Sequence, residues 1–357
     1  MVRFLPTLLF LLVFLPNNGT TQINGGNNVY EFLNLSPSAR ITALGGHHIA
    51  VRDDDVAMGF VNPGVLTDRV HGQFSFNHSF LFDGIQNGYF GYGHHVANVG
   101  TFHGGVQYVN YGEITRTDQF QQELGTFQPR ELALTLGGSR EIYERLSIGA
   151  NVKYISSQFE AYNSRGITAD VGAVFYDTSR QFVATLLWRN IGGQLTQYRP
   201  GNPEDVPFEL QAGISKRLRY LPFRFEIIYR YLNRFDIAYD DPDRRESTNL
   251  FGDAGEVDVE GPGNFDTFLR HFVFNGEFLF GKKENLRLRL GYNHLRQSEL
   301  AVRNYRSLGG FTFGVGLKIK QFRVDFGHAV HHFAGSINHI SIGTSLSEFG
   351  AGSRIVR

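Results

Sequence analysis

The chain has 357 residues, with 34 Lys and Arg against 34 Asp and Glu, and a formal net charge of +0. That balance gives no case for nucleic acid as a partner, and the absence of cysteine excludes disulfides, thiolate catalysis and cysteine-ligated metal centres. Many glycines and aromatics (42 Gly, 33 Phe, 16 Tyr) with 2 Met point to a β-rich chain full of turns, with no cofactor expected.

Residues 1–21 read as a signal peptide. Arg3 supplies the positive start, and Phe4 to Leu15 form an apolar stretch, too short for the ~20 residues of a membrane helix. No later stretch reaches that length, so a helical membrane protein is not expected. Residues 22–70 follow as a segment without strand alternation. They contain three adjacent acids, Asp53, Asp54 and Asp55, and the turn signal Asn62-Pro63.

From His71 onward apolar and polar residues alternate. In "HGQFSFNHSFLF", Phe74, Phe76, Phe80 and Phe82 share one parity and Gln73, Ser75, Asn77 and Ser79 the other. A strand puts these sets on opposite faces. The same pattern predicts strands at 71–82, 87–97, 99–117, 129–140, 145–158, 166–177, 180–193, 207–217, 222–233, 267–281, 285–297, 308–318, 321–333 and 337–347. Most run about ten to fourteen residues, enough for the nine to eleven that a membrane-spanning strand needs and more than the five or six usual in soluble sheets.

Short connections near Asn98, 141–144, 178–179, 219–221, 282–284 and 319–320 alternate with mostly longer ones at 83–86, 118–128, 159–165, 194–206, 234–266, 298–307 and 334–336. Short periplasmic turns opposite longer outer loops mark an outer-membrane barrel. The polar parity carries unlike charges: Lys153, Asp170, Glu209, Arg224, Glu226, Arg230, Glu277, Arg287, Arg289, Arg323 and Asp325. A large soluble sandwich with a solvated outer face would explain these strand by strand. Strand length, alternating loops and the export signal together favour the barrel.

The expected architecture is an all-β, 14-stranded transmembrane outer-membrane barrel over 71–348, with a plug at 22–70 and a tail at 349–357. Such a lumen is too wide for wall side chains alone to fill. The plug acids are expected to pair with lumen arginines among Arg224, Arg287, Arg289 and Arg323, because Arg–carboxylate forks are strong. The Asn62-Pro63 turn is expected to hand the chain to the first strand.

Residues 28–66, "NVYEFLNLSPSARITALGGHHIAVRDDDVAMGFVNPGVL", resemble the N-terminal region of the PorV/PorQ group of type IX secretion outer-membrane proteins, the PorQ branch above all. The match runs through Tyr30 to Leu35, Ser38-Ala39-Arg40, Leu44-Gly45-Gly46, the three acids and Asn62-Pro63. "YGEITRTDQFQQELGTF", 111–127, resembles the group's third-strand hairpin. The group is similar to FadL-type barrels, whose N-terminal hatch fills the lumen. Gly64 stands where the wider group often has Ala.

The resemblance implies a non-enzymatic anchor in the surface attachment complex. A PorZ-like surface protein would be its partner, alongside PorU and PorV, and the exported cargo would be fixed to lipopolysaccharide. The rival reading is a FadL-like transporter of hydrophobic small molecules.

Other chemistry is weaker. Calcium sites space their acids around the ion, unlike three adjacent aspartates. The pairs His47-His48, His94-His95 and His331-His332, with His328 nearby, do not converge as zinc ligands must. His339 and Ser341 share a face, as a nucleophile and base would. However, Ile340 and Ile342 carry the lipid-facing parity, which turns that pair inward. No catalytic or metal-ligating residue is expected.

Overall fold

The structure, a computed structural model, describes residues 28–237, 263–299, 308–332 and 335–346. The expected signal peptide, the tail at 349–357, most of the 234–266 and 298–307 loops and the side chains of His331 and His332 lie outside these residues.

Among the described residues sixteen strands are present: β1 (Gln73–Phe80), β2 (Gln86–Val96), β3 (Gly100–Asn110), β4 (Ile114–Thr117), β5 (Glu123–Phe127), β6 (Arg130–Tyr143), β7 (Leu146–Phe159), β8 (Tyr162–Asp177), β9 (Phe182–Thr196), β10 (Glu209–Arg217), β11 (Phe223–Tyr229), β12 (Phe272–Phe280), β13 (Leu286–Asn293), β14 (Phe311–Ile319), β15 (Phe322–His332) and β16 (Gly335–Ser345). Fourteen close into one barrel, and β4 with β5 forms a separate hairpin. The closing seam is antiparallel, with Phe76 opposite Ile342 on β16 and Phe90 on β2.

Each expected strand has an observed counterpart, with local departures. The 99–117 segment leaves the barrel at Asn110, and its last residues become β4. The first part of 267–281 is helical (Asn264–Arg270), and β13 ends at Asn293 before the helix His294–Glu299. Phe268, Phe272 and Phe274 share one parity, so the alternation of β12 reads back into the helix. The expected loop at 159–165 shrinks to the turn between Phe159 and Tyr162, which pair with each other.

The strand parity decides which side chains meet lipid. Phe76, Leu136, Val152, Leu290, Phe326 and Ile342 point outward and are exposed, while Ser75, Asn77, Asn151, Arg289 and Asp325 point inward and are buried. An apolar exterior around a polar interior is the outer-membrane arrangement. The interior is not wholly polar. Val109, Ala133, Ile155, Val174, Leu187, Ile228 and Val273 also face inward and are buried.

Those wall residues receive the plug. Ile41, Ile49, Met58, Phe60, Val61 and Val65 pack against Tyr89, Val174, Leu187, Ile228 and Val273. Nearer the outer mouth, Tyr30, Phe32 and Leu33 pack against Val109, Ala133 and Ile155. The plug enters at the outer rim, where the Val29 N–H donates to the Asp205 carbonyl at 2.9 Å. It leaves at the short-turn end, where the Gly72 N–H donates to Gly93 O and Gly72 O accepts from the Leu346 N–H, both at 2.9 Å.

Candidate functional site

The interface between plug and wall is built around Arg40. Ser38 caps the short helix Ala39–Thr42, its side chain accepting from the Ile41 N–H, and the next residue but one turns inward. Arg40 is 1% exposed. Its Nε and Nη2 each donate to one oxygen of Glu277 on β12 at 3.1 Å. Nη2 also lies 2.8 Å from Asp53 Oδ2, and Nη1 lies 3.4 Å from Asp55 Oδ2. One plug arginine thus joins two plug acids to the wall.

The wall completes the network. Arg323 Nη1 donates to Asp54 Oδ1 at 2.9 Å, and its Nη2 lies 3.6 Å from Asp55 Oδ1. Arg224 Nη2 lies 2.8 Å from Glu277 Oε2 and 3.9 Å from Asp53. Arg289 Nε meets Glu277 at 2.9 Å, and its Nη1 meets Asp325 at 2.6 Å. Arg40, Arg224, Arg289 and Arg323 are therefore interleaved with Asp53, Asp54, Asp55, Glu277 and Asp325.

Two of the four candidate arginines do not pair with the plug acids. Arg289 meets wall acids and not the plug, and Arg287 pairs with Glu284 at 3.6 Å. The principal partner of Asp53 and Asp55 on their inner side is Arg40, which lies within the plug itself. Charge sign alone named the wall arginines, whereas Arg40 sits in an apolar stretch.

Burial shapes the ionisation of the plug groups. Loss of solvent works against the charge on Arg40, but Asp53, Glu277 and Asp55 outweigh it and hold the guanidinium well above its ordinary value. Burial also works to raise the Asp53 carboxyl, yet Arg40 and then Arg224 hold it far below the usual carboxylate range. Asp54 is lowered in the same sense, burial being outweighed chiefly by Arg323.

The other predicted charges pair apart from this network. Glu226 accepts from the backbone N–H groups of Ile49 and Ala50 at 2.9 and 2.8 Å, from Asn275 Nδ2 at 2.8 Å, and contacts His48 Nδ1 at 2.6 Å. Arg230 is bidentate with Glu209 at 2.7 and 2.9 Å. Lys153 and Asp170 pair at 2.7 Å, and the ammonium lies 4.7 Å from the Phe60 ring centroid.

Asn62 and Pro63 hold the plug flat against β7 and β8. Asn62 is fully buried. Its Nδ2 donates to Ile49 O and Thr185 Oγ1, and its Oδ1 accepts from the Gly64 N–H. Gly64 lies against Gly149 and Gly172; a Cβ on Gly149 would stand 2.5 Å from Gly64 N, and one on Gly172 would collide with Asn62 Oδ1. The handover to β1 comes later than expected. A further short turn, Asp68–Val70, separates Pro63 from Gln73.

His339 and Ser341 both face inward and engage the plug. His339 Nδ1 lies 2.9 Å from Thr42 Oγ1, and Ser341 Oγ accepts from the Ala39 N–H at 2.7 Å. His47 and His48 are both buried in the plug, and His95 contacts Thr101. Among the described residues no group of three or more His, Asp or Glu is placed to hold a metal.

Beneath the network, at the short-turn end, a cavity of about 780 Å³ is lined by plug residues such as Arg52, Asp53 and Arg69 and wall residues such as Glu141, Arg217 and Glu284. It is polar and mixed in charge. Arg52 crosses its edge to Glu141 at 2.8 Å, with its guanidinium 3.7 Å from the Tyr176 ring centroid.

No sequence-family model and no curated protein matches the chain. Solved structures do match. The Pseudomonas putida toluene transporter TodX is 12% identical over 87% of this chain and 96% of its own, with a TM-score of 0.51. The CymD monoaromatic hydrocarbon channel is 11% identical over 88% and 98%, also at 0.51. A Pseudomonas aeruginosa FadL homologue is 8% identical over 86% and 98%, at 0.45. At such identities the likeness shows the fold, and with the lipid-facing exterior it identifies the chain as a closed, fourteen-stranded outer-membrane β-barrel of FadL-like fold.

Proposed function

We propose that this barrel is a plugged platform of the type IX secretion attachment complex, of PorQ type, which anchors a PorZ-like surface protein beside PorU and PorV. The observation that carries the reading is the Arg40–Glu277 fork with the carboxylates and guanidiniums around it. An apolar solute taking this route would have to separate buried ion pairs, and each charge left unpaired costs several kcal/mol, about 3–5. The resemblance of residues 28–66 to the PorQ branch supplies the secretion context. The platform itself makes and breaks no bonds, and its outer loops would bear the partner. Affinity purification from native membranes in mild detergent tests this. A large surface protein should co-purify, and a chain recovered alone would overturn the anchor.

A second reading is transport of small hydrophobic molecules, and the fold favours it. TodX is described as a toluene transporter and CymD as a monoaromatic hydrocarbon channel. It requires a path around the plug or through the wall. Strands β2, β3 and β6 pair without a break over Gln86–Val96, Gly100–Asn110 and Arg130–Ser139, so an opening there would need strands to part. Toluene and fatty-acid uptake by cells with and without the chain decides this point. Uptake that depends on the chain would replace the anchor reading.

A further inference from the structure

On the outer side of the plug, a cavity of about 50 Å³ lies between the plug and the wall strands β1, β2, β15 and β16. Three side chains that line it each carry a buried polar atom without a hydrogen-bond partner: Nη1 of Arg296, Nε2 of His339 and Oδ1 of Asn34. The rest of the lining includes Leu35, Leu81, Ala329 and Ile337, which bring no side-chain charge.

Arg296 belongs to the helix His294–Glu299 and lays its guanidinium against Gly46 of the plug, where a Cβ would stand 2.9 Å from Nη2. Among the described residues no carboxylate pairs with it. Burial pushes the group down to about 10, and Arg230 adds repulsion in the same direction. The surroundings deepen the imbalance. Arg189, Arg230 and Arg296 all act on His47. Glu209 is bidentate with Arg230, and Arg189 Nη2 donates to the Leu33 carbonyl at 3.1 Å.

Arg296 is half-buried, and a guanidinium nitrogen shielded from solvent with no counter-charge among the described residues is costly. Water can fill the space but cannot neutralise it. A water occupies about 30 Å³ of liquid, so the cavity holds one or two particles of that size, such as one small ion with one water beside it. With the Thr42 hydroxyl donating to His339 Nδ1, the neutral ring presents Nε2–H to the cavity as a second donor. Asn34 Oδ1 is an acceptor, its amide nitrogen being engaged by Glu31 at 2.8 Å. It therefore takes a hydrogen from a water beside the ion.

We propose that this cavity binds a small inorganic monoanion of halide size, held by Arg296 Nη1 and His339 Nε2, which fastens the outer part of the plug to the wall. The small volume selects against phosphate and larger oxyanions, and the rest of the lining, which mixes Ser36, Thr42, Ser79 and Asn87 with Leu35, Leu81, Ala329 and Ile337, brings no second cation to hold one. The ion supplies the negative charge that the described residues do not place beside Arg296.

The full chain in detergent, crystallised with bromide and measured at the bromine edge, tests this directly. One anomalous peak between Arg296 and His339 is expected. In solution, the thermal midpoint should be higher in bromide or chloride than in gluconate at equal ionic strength, and Arg296→Gln should abolish the difference. A cavity without an anomalous peak at high bromide overturns the proposal, and so does an equal wild-type midpoint in gluconate. Both of these measurements use the wild-type chain, so they decide the question even if the variant does not fold.

Discussion

The guanidinium of Arg40 on the plug spans both carboxylate oxygens of Glu277 on the wall, 3.1 Å from each. Two N–H groups aimed at two oxygens give this contact direction as well as charge. Because both partners are buried, the pair fixes where the plug sits.

Removing one partner should therefore cost more than removing both. Arg40→Met leaves Glu277, Asp53 and Asp55 with unbalanced charge and should destabilise the protein by about 3–5 kcal/mol. Arg40→Met combined with Glu277→Gln should recover part of that loss. A double-mutant cycle on denaturant unfolding in detergent measures the coupling, and additive losses would show that the fork does not act as a unit.

The close approach of Gly64 to Gly149 and Gly172 leaves no room for a side chain. Gly172→Val should cost about 1–3 kcal/mol by overpacking and push Asn62 off the wall. Loosening of the plug would appear as raised conductance in planar bilayers. Ala150→Val, next to Gly149 but on the exposed lipid side, should leave both stability and conductance unchanged.

Strand parity makes a sharper test on neighbouring residues. Leu290 faces lipid at 49% exposure, and Arg289 faces the lumen at 1%. Leu290→Arg should cost about 2–4 kcal/mol, the usual effect of a mid-membrane arginine on a barrel exterior. Heat-modified mobility on electrophoresis would report the loss of folded barrel. Folding at wild-type stability would mean that the parity is wrong.

The plug acids set an acid limit. Asp53 and Asp54 titrate below the ordinary aspartate range in the folded chain, so the unfolded chain takes up their protons first. Their contribution is complete above about pH 4, the unfolded value, and is lost as pH falls from there through the lowered folded values. Unfolding midpoints between pH 5 and 8 should be indifferent to these groups. Asp53→Asn should lower the neutral-pH midpoint and flatten the decline in acid, and an unchanged acid slope would count against the assignment.

Much of this was readable from period and parity. "ENLRLRLGYNH" alone separates Leu286, Leu288 and Leu290 from Arg287 and Arg289, and the structure keeps that division. What failed to show was what depends on a third dimension. Arg40 lies among apolar neighbours, so nothing local reveals that it faces three acids. Ile228 and Val273 break the polar parity because the plug, not water, lies opposite them. The helices at Asn264–Arg270 and His294–Glu299 hide because each is only a turn or two long and runs directly into or out of an alternating strand.

The Arg40–Glu277 contact joins positions 237 residues apart in sequence. The plug leaves the ribosome before the wall, yet its partners Glu277, Arg323 and Ser341 lie on β12, β15 and β16. It cannot take its place until those strands are in hand, and contacts of such long range are slow to form. The segment made before the wall is thus placed after it, once the wall has arranged its charges. Whatever machinery inserts this chain must leave the lumen reachable until then, and an arrested insertion would leave Arg40 and the three aspartates exposed together.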